Sequence, residues 1–222
     1  MSRVRKFLFS LSAVGILAVV SATAHADPIT IVGTQSGQFS TASVSCSFNA
    51  ATNTLTFTIT NTSNLTHPGS TSTITSIGFD LPPTGNASSS GLNGFTGMQA
   101  PSLGSSFTFS DADLGNVPAG FNSVVLDFGF LTGANFAGGS PNDGLAPGES
   151  ASFTVTGTAF AGLTETQICN AILVRFQNVP AEAGTASDVG TPSQVPEPST
   201  MILLGTALIG LGGFVRRRRN RR

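Results

Sequence analysis

The chain has 222 residues, of which the 169 from Asp27 to Val195 form a body between two ends that read as targeting segments, enough for one domain with its own core. That body carries ten carboxylates against Arg175 alone, a balance of −9 that basic ends hide in the whole-chain value of −1. One Arg and no Lys cannot displace counterions from many phosphates, which excludes nucleic acid as a partner, and the lack of Trp and Tyr, with His67 the only imidazole in the body, removes much side-chain chemistry.

At the N-terminus, Arg3, Arg5 and Lys6 precede the apolar run Phe7–Val20, and Ala24-His25-Ala26 places small residues at a cleavage position. This pattern predicts a secretory signal peptide over residues 1–26, cut by signal peptidase between Ala26 and Asp27 after passage through the secretion translocon. A short buried helix and an uncleaved membrane anchor are the alternatives, and for the anchor the run is short and no stop-transfer pattern follows.

Residues 27–179 read as strands separated by Gly and Pro turns. Val44–Phe48 and Leu55–Ile59 alternate with period two, the signal of half-buried antiparallel strands. Further strands are expected at Ile74–Phe79, Ser106–Phe109, Asn122–Phe130, Ser152–Thr158 and Thr166–Gln177, with Ile29–Val32 as an edge. Val124, Leu126, Phe128 and Phe130 share one face, with Asp127 opposite, and Ile172, Val174 and Phe176 form a second stripe with Arg175 outward. Pro147-Gly148 has the chemistry of a type II turn, and Gly144–Ser150 loosely resembles the strand-entry turn of immunoglobulin-like domains. No stretch has a convincing helical period. The expected fold is all-β: an antiparallel β-sandwich, immunoglobulin-like or jelly-roll-like, with a β-helix as the other architecture.

Cys46 and Cys169 are the only cysteines, and an exported chain meets oxidising conditions. They are expected to form one disulfide joining an early strand to the last strand of the body, the alternatives being two buried thiols or intermolecular crosslinks. Cys169 has the opposite strand parity from Ile168 and Ile172, so either a bulge near Asn170 shifts the register or the bridge lies on the outer side of the sheet.

Catalytic motifs are not readable. His67 precedes Pro68 in a turn, with no Ser/His/Asp order around it, and no nucleophile elbow, phosphate loop or zinc spacing occurs. Paired carboxylates alone could serve a glycosidase. Asp111, Asp113 and Asn116 bring oxygen ligands into one turn, a weak calcium pattern beside the simpler reading of solvated turn residues, and Asn142-Asp143-Gly144 is a second oxygen-rich turn. Fourteen Phe in the body must supply the large core groups. Phe95 and Phe136 sit in the Gly-rich stretches 91–97 and 133–139, where each could stack on a sugar or a partner chain. The sequons at Asn61, Asn64 and Asn86 read as accidents of composition.

From residue 180 to 195 the chain becomes Ala, Gly, Ser, Thr and Pro, which reads as a flexible linker. Pro196-Glu197-Pro198 follows, then the uncharged segment Met201–Val215, then Arg216, Arg217, Arg218, Arg219 and two further Arg. Fifteen residues of helix rise about 22 Å against roughly 30 Å of hydrocarbon, a marginal span. The Arg cluster would hold this tail on the cytoplasmic side. Residues 196–222 resemble the PEP-CTERM sorting signal carried by substrates of exosortases. That resemblance implies an inner-membrane intermediate with a transmembrane sorting helix, cutting near Pro196–Pro198 by an exosortase-like membrane protease, and release to the cell surface. The expected role is a non-catalytic component of the cell surface or extracellular polysaccharide matrix, with two alternatives: a glycan- or protein-binding module using the Gly-rich loops, or a carboxylate-based enzyme.

Overall fold

The computed structural model describes residues 28–64, 71–82, 94–100, 106–111, 114, 117, 124–180 and 185–193. In chain order its strands are β1 (Ile29–Gly33), β2 (Gly37–Asn49), β3 (Thr54–Asn61), β4 (Thr73–Phe79), β5 (Phe95–Gln99), β6 (Thr108–Ser110), β7 (Phe128–Leu131), β8 (Ser150–Gly157), β9 (Ile172–Pro180) and β10 (Thr185–Pro192), and a five-residue helix, α1 (Glu165–Cys169), precedes β9. All pairings are antiparallel, in one sheet of order β5-β8-β3-β2-β1-β10-β9-β4-β7-β6. The ends of that order meet. The Phe107 N–H, just before β6, donates to Gln99 Oε1 at the end of β5 over 2.8 Å. The Phe109 ring occupies the space beside Gly97, where a Cβ would come within 2.3 Å of it.

This nearly closed barrel replaces the expected β-sandwich. A sandwich keeps two sheets whose strands pair only within each sheet; here β1 pairs with β2 on one side and β10 on the other, and β10 continues to β9. β10 therefore welds β5-β8-β3-β2-β1 to β9-β4-β7-β6, and the apolar faces turn toward one axis. Its residues fall inside 180–195, so that stretch is not a flexible linker through its length. β1, expected at an edge, is an interior strand.

The membrane-helix expectation is also corrected. Among the described residues no helix is long and apolar enough to cross a membrane, since a span needs about 20 residues and α1 has five. Met201–Val215 lies outside the described residues. The transmembrane sorting helix and the inner-membrane intermediate built on it are withdrawn.

Leu55, Phe57 and Ile59 of β3 and Ala151, Phe153 and Val155 of β8 point inward, as strict alternation requires. Phenylalanines fill the interior: Phe57 stacks on Phe153 at 5.0 Å between ring centroids, Phe79 on Phe128 at 4.6 Å, and Phe130 meets Phe153 at 4.4 Å. Such pairs add roughly 0.5–1.5 kcal/mol each to their burial. Outside the barrel, Leu114, Val117, Leu126, Leu131, Phe136, Leu173 and Val189 form a smaller cluster. The predicted apolar face of Val124 to Phe130 is thus divided: Phe128 and Phe130 belong to the main core, Leu126 and Val124 to the outer cluster. Arg175 does leave the interior, yet it is buried beneath this outer layer, where Nη1 donates to the Phe136 carbonyl at 3.2 Å.

The other face of the barrel is neutral and hydroxylated. Ser43, Thr60 and Ser150 align across β2, β3 and β8, as do Ser45, Thr58 and Ser152, and Ser47, Thr56 and Thr154. Hydroxyl pairs at 2.7 Å join Thr58 to Ser152 and Thr60 to Ser150.

Candidate functional site

The first and last described strands lie side by side. Ile31 faces Pro192, and the Ser193 N–H donates to the Thr30 carbonyl at 2.8 Å, so the chain enters and leaves the barrel at one pole, here termed the terminal pole. The strand registers bring the end of β4 and the starts of β7 and β9 to the same pole. An open cleft of about 510 Å³ is found there, lined by Asp80, Leu81, Pro82, Thr166, Gln167, Asn170 and Ala171.

Its walls are set locally. α1 starts with a capping box in which Thr164 and Gln167 each satisfy the other's backbone N–H, and the Phe48 N–H of β2 donates to Glu165 Oε2 at 2.8 Å. The Asp80 N–H donates to the Ala171 carbonyl at 3.0 Å, tying the end of β4 to the residue before β9. Asp127 turns its Oδ2 back to accept the Leu81 N–H at 2.7 Å. Burial, and then repulsion from Asp127, push the Asp80 carboxyl above the usual aspartate value. The cleft therefore offers amides, a hydroxyl and one carboxyl that holds its proton more tightly than usual, a surface suited to hydrogen bonding.

The opposite pole is held differently. Asp188 of β10 accepts from the backbone N–H of Ser36 at 2.8 Å, from that of Gln35 at 3.2 Å, from the Thr34 and Ser36 hydroxyls, and from its neighbour Val189 at 2.8 Å. It thereby organises the whole β1–β2 turn. Gly33 makes room for it, since a Cβ there would lie 2.3 Å from Oδ2. Asn61 does the same for the loops beside β4: Nδ2 donates to the Ser72 and Leu145 carbonyls, each at 2.8 Å, and Oδ1 accepts the Ser63 N–H at 3.1 Å.

The sequence-predicted residues fall as follows. Cys46 and Cys169 form a disulfide with a Cα separation of 6.0 Å. Cys169 closes α1 rather than lying on a strand, so the bridge pins the helix to β2 and the parity conflict disappears. Phe95 and Phe136 are 3% and 0% exposed, which removes both rings as sugar-stacking platforms in this fold. Asp111 accepts the Gly94 N–H at 3.1 Å through Oδ2, while Asp113 and Asn116 lie outside the described residues. Among the described residues no group of three or more His, Cys, Asp or Glu could hold a metal. Asn61 is buried with its amide engaged, so that sequon is closed in the folded chain; Asn64 is exposed. The turn at Pro147-Gly148 forms, with Gly148 at φ 89° and the Glu149 N–H donating to the Ala146 carbonyl at 2.9 Å. His67, Asn86, Ala26, Asp27, Pro196, Glu197, Pro198 and Arg216–Arg219 lie outside the described residues.

What sequence reasoning missed is the polar scaffolding: α1, legible in principle from the Thr164-x-x-Gln167 capping box, and Asp188, hidden in a stretch whose composition reads as spacer.

Fold and cleft together define a phenylalanine-filled antiparallel barrel whose first and last described strands lie side by side at one pole. Residues 194–219, directly after the last residue described, match the PEP-CTERM protein-sorting motif. The chain carries this sorting signal and is accordingly an exosortase substrate with an extracellular or cell-surface fate. No match was found among curated proteins or among solved structures.

Proposed function

We propose that this protein is a non-catalytic structural component of the cell surface or of an extracellular polysaccharide matrix, delivered through the secretion translocon and signal peptidase before exosortase processing. The observation that carries the reading is the division of the barrel. Its interior is given over to phenylalanine packing, with Phe57, Phe79, Phe128, Phe130 and Phe153 at most 1% exposed, and the β2, β3 and β8 face presents rows of Ser and Thr hydroxyls. A neutral hydroxylated face on an acidic, densely packed body suits life among hydrated polysaccharide chains, because it exchanges hydrogen bonds with water and sugar alike at little cost. Extracellular polysaccharide is then the proposed partner.

Subcellular fractionation with intact-mass analysis tests this. The expected product is surface or matrix protein lacking residues 1–26 and the residues beyond a cut near Pro196–Pro198. Intracellular protein with both ends intact would overturn the proposal.

A further inference from the structure

We propose that the terminal pole of the barrel is the docking surface for the sorting protease, so that the enzyme engages the folded domain as well as the motif. This deepens the reading of the chain as an exosortase substrate and rests on it.

Chain length carries the first step. Ser193 is still hydrogen-bonded to β1 through the Thr30 carbonyl, and three residue steps separate it from Pro196. Fully extended, those steps span at most about 10 Å. A protease cutting near Pro196–Pro198 must therefore bring its active site almost against the barrel. A peptidase is far wider than that gap, and so its surface meets the pole from which β10 emerges.

Position carries the second step. β9 pairs with β10, Val174 opposite Gly190, and starts at Ile172, immediately after Asn170 and Ala171 of the cleft. Neighbouring strands are about 4.8 Å apart, so the cleft lies beside the exit of the sorting segment. Its α1 wall presents the exposed side chains Thr166, Gln167 and Asn170. The disulfide, the capping box and the bond from Phe48 to Glu165 hold that wall in place, and preorganised polar groups lose little on engagement. The surface complementary to it on the protease is polar, rich in hydrogen-bonding groups and not acidic, since Asp80, Asp127 and Glu165 are gathered at this pole.

The full chain, co-expressed with its exosortase and followed by pulse-chase on a tag at the C-terminus, tests the proposal. Thr166→Arg and Asn170→Arg, singly and together, place bulk and charge on exposed cleft positions, and export with the disulfide formed shows that each variant is folded. The double variant is expected to be cut about tenfold more slowly, the consequence of losing about 1.4 kcal/mol of docking. Asn142→Arg, exposed at the opposite pole, is expected to be cut at the native rate. Cutting of all variants at the native rate would overturn the proposal. So would faster cutting after a ten-residue Gly/Ser insertion behind Ser193, which would make the barrel an obstacle rather than a dock. A native chain that is never cut would overturn the sorting reading itself, a result distinguishable from the other two because it needs no variant.

Discussion

The two poles of the barrel are stabilised by opposite means. At the terminal pole a covalent bridge and a capped helix close the structure, and the polar groups there line an open cleft. At the far pole single buried side chains do the work, with Asp188 and Asn61 each gathering several partners from loops that have little apolar content of their own. The contrast separates two demands on one fold. The pole that carries the open cleft is clamped through the chain itself. A pole made only of connections is held by satisfying its backbone from within, where a carboxylate with several donors costs less than leaving those donors unpaired.

The largest effect in this comparison is expected from the bridge. Replacing Cys46 and Cys169 together by Ala releases a loop of 123 residues in sequence separation. On the chain-entropy account stability should drop by up to about 5 kcal/mol. Urea denaturation would read it, and hydrogen exchange should quicken first in α1. The far pole should answer next: Asp188→Ala removes the acceptor for the β1–β2 turn and should cost about 3 kcal/mol, while Asp188→Asn, keeping one acceptor oxygen, should cost less. Loss of exchange protection is expected at Gln35 and Ser36 with α1 unaffected. If instead both poles loosened together, they would be one cooperative unit and the contrast would fail.

A third change probes the seam that runs between the poles. Gly97→Ala puts a methyl against the Phe109 ring and should cost about 1–3 kcal/mol as an overpacking substitution. Exchange should rise in β5 and β6 before any other strand. The smallest effect concerns Asp80, whose folded carboxyl titrates above its ordinary value. A raised acid pKa means that the folded state holds the proton more tightly than the unfolded chain. Stability is therefore lost as pH climbs from the ordinary aspartate value through the folded one, and a constant deficit remains above that. Asp80→Asn should be slightly more stable than the native chain at neutral pH, with the difference fading below the ordinary aspartate range. A difference independent of pH would show that Asp80 acts through contacts other than its charge.

Legibility in the sequence followed the locality of the signal. β3, β8 and the Val44–Phe48 part of β2 were readable because alternation of large apolar and hydroxyl residues reports a one-sided burial along those stretches. β10 was not, since Thr185–Pro192 holds a single large apolar residue, Val189, and that residue faces the outer cluster; Gly190 is there because Ile31 and Phe176 leave no space for a side chain. β5 was missed for a related reason, with Gly97 serving the Phe109 ring rather than a loop. Composition cannot distinguish a glycine that loosens a chain from one that admits a neighbour. The cleft was invisible as well: Asp80 and Asn170 lie far apart in sequence and are brought together only by the pairing of β4 with β9.

By itself the sequence determined the sorting end, the acidic and hydroxylated character of the body, the β class and the candidate cysteine pair, all of which are properties of short segments or of counts. Tertiary structure alone decided that the sheet curls into a barrel, that much of the supposed spacer is the strand joining its halves, that Phe95 and Phe136 are buried, and that the first and last described strands pair with each other. The physical reason is that strand order and side-chain surroundings are fixed by pairings between residues far apart in sequence, such as Thr60 with Ser150, Phe79 with Ile172 and Ile31 with Pro192, and those pairings leave no local mark on the chain they join.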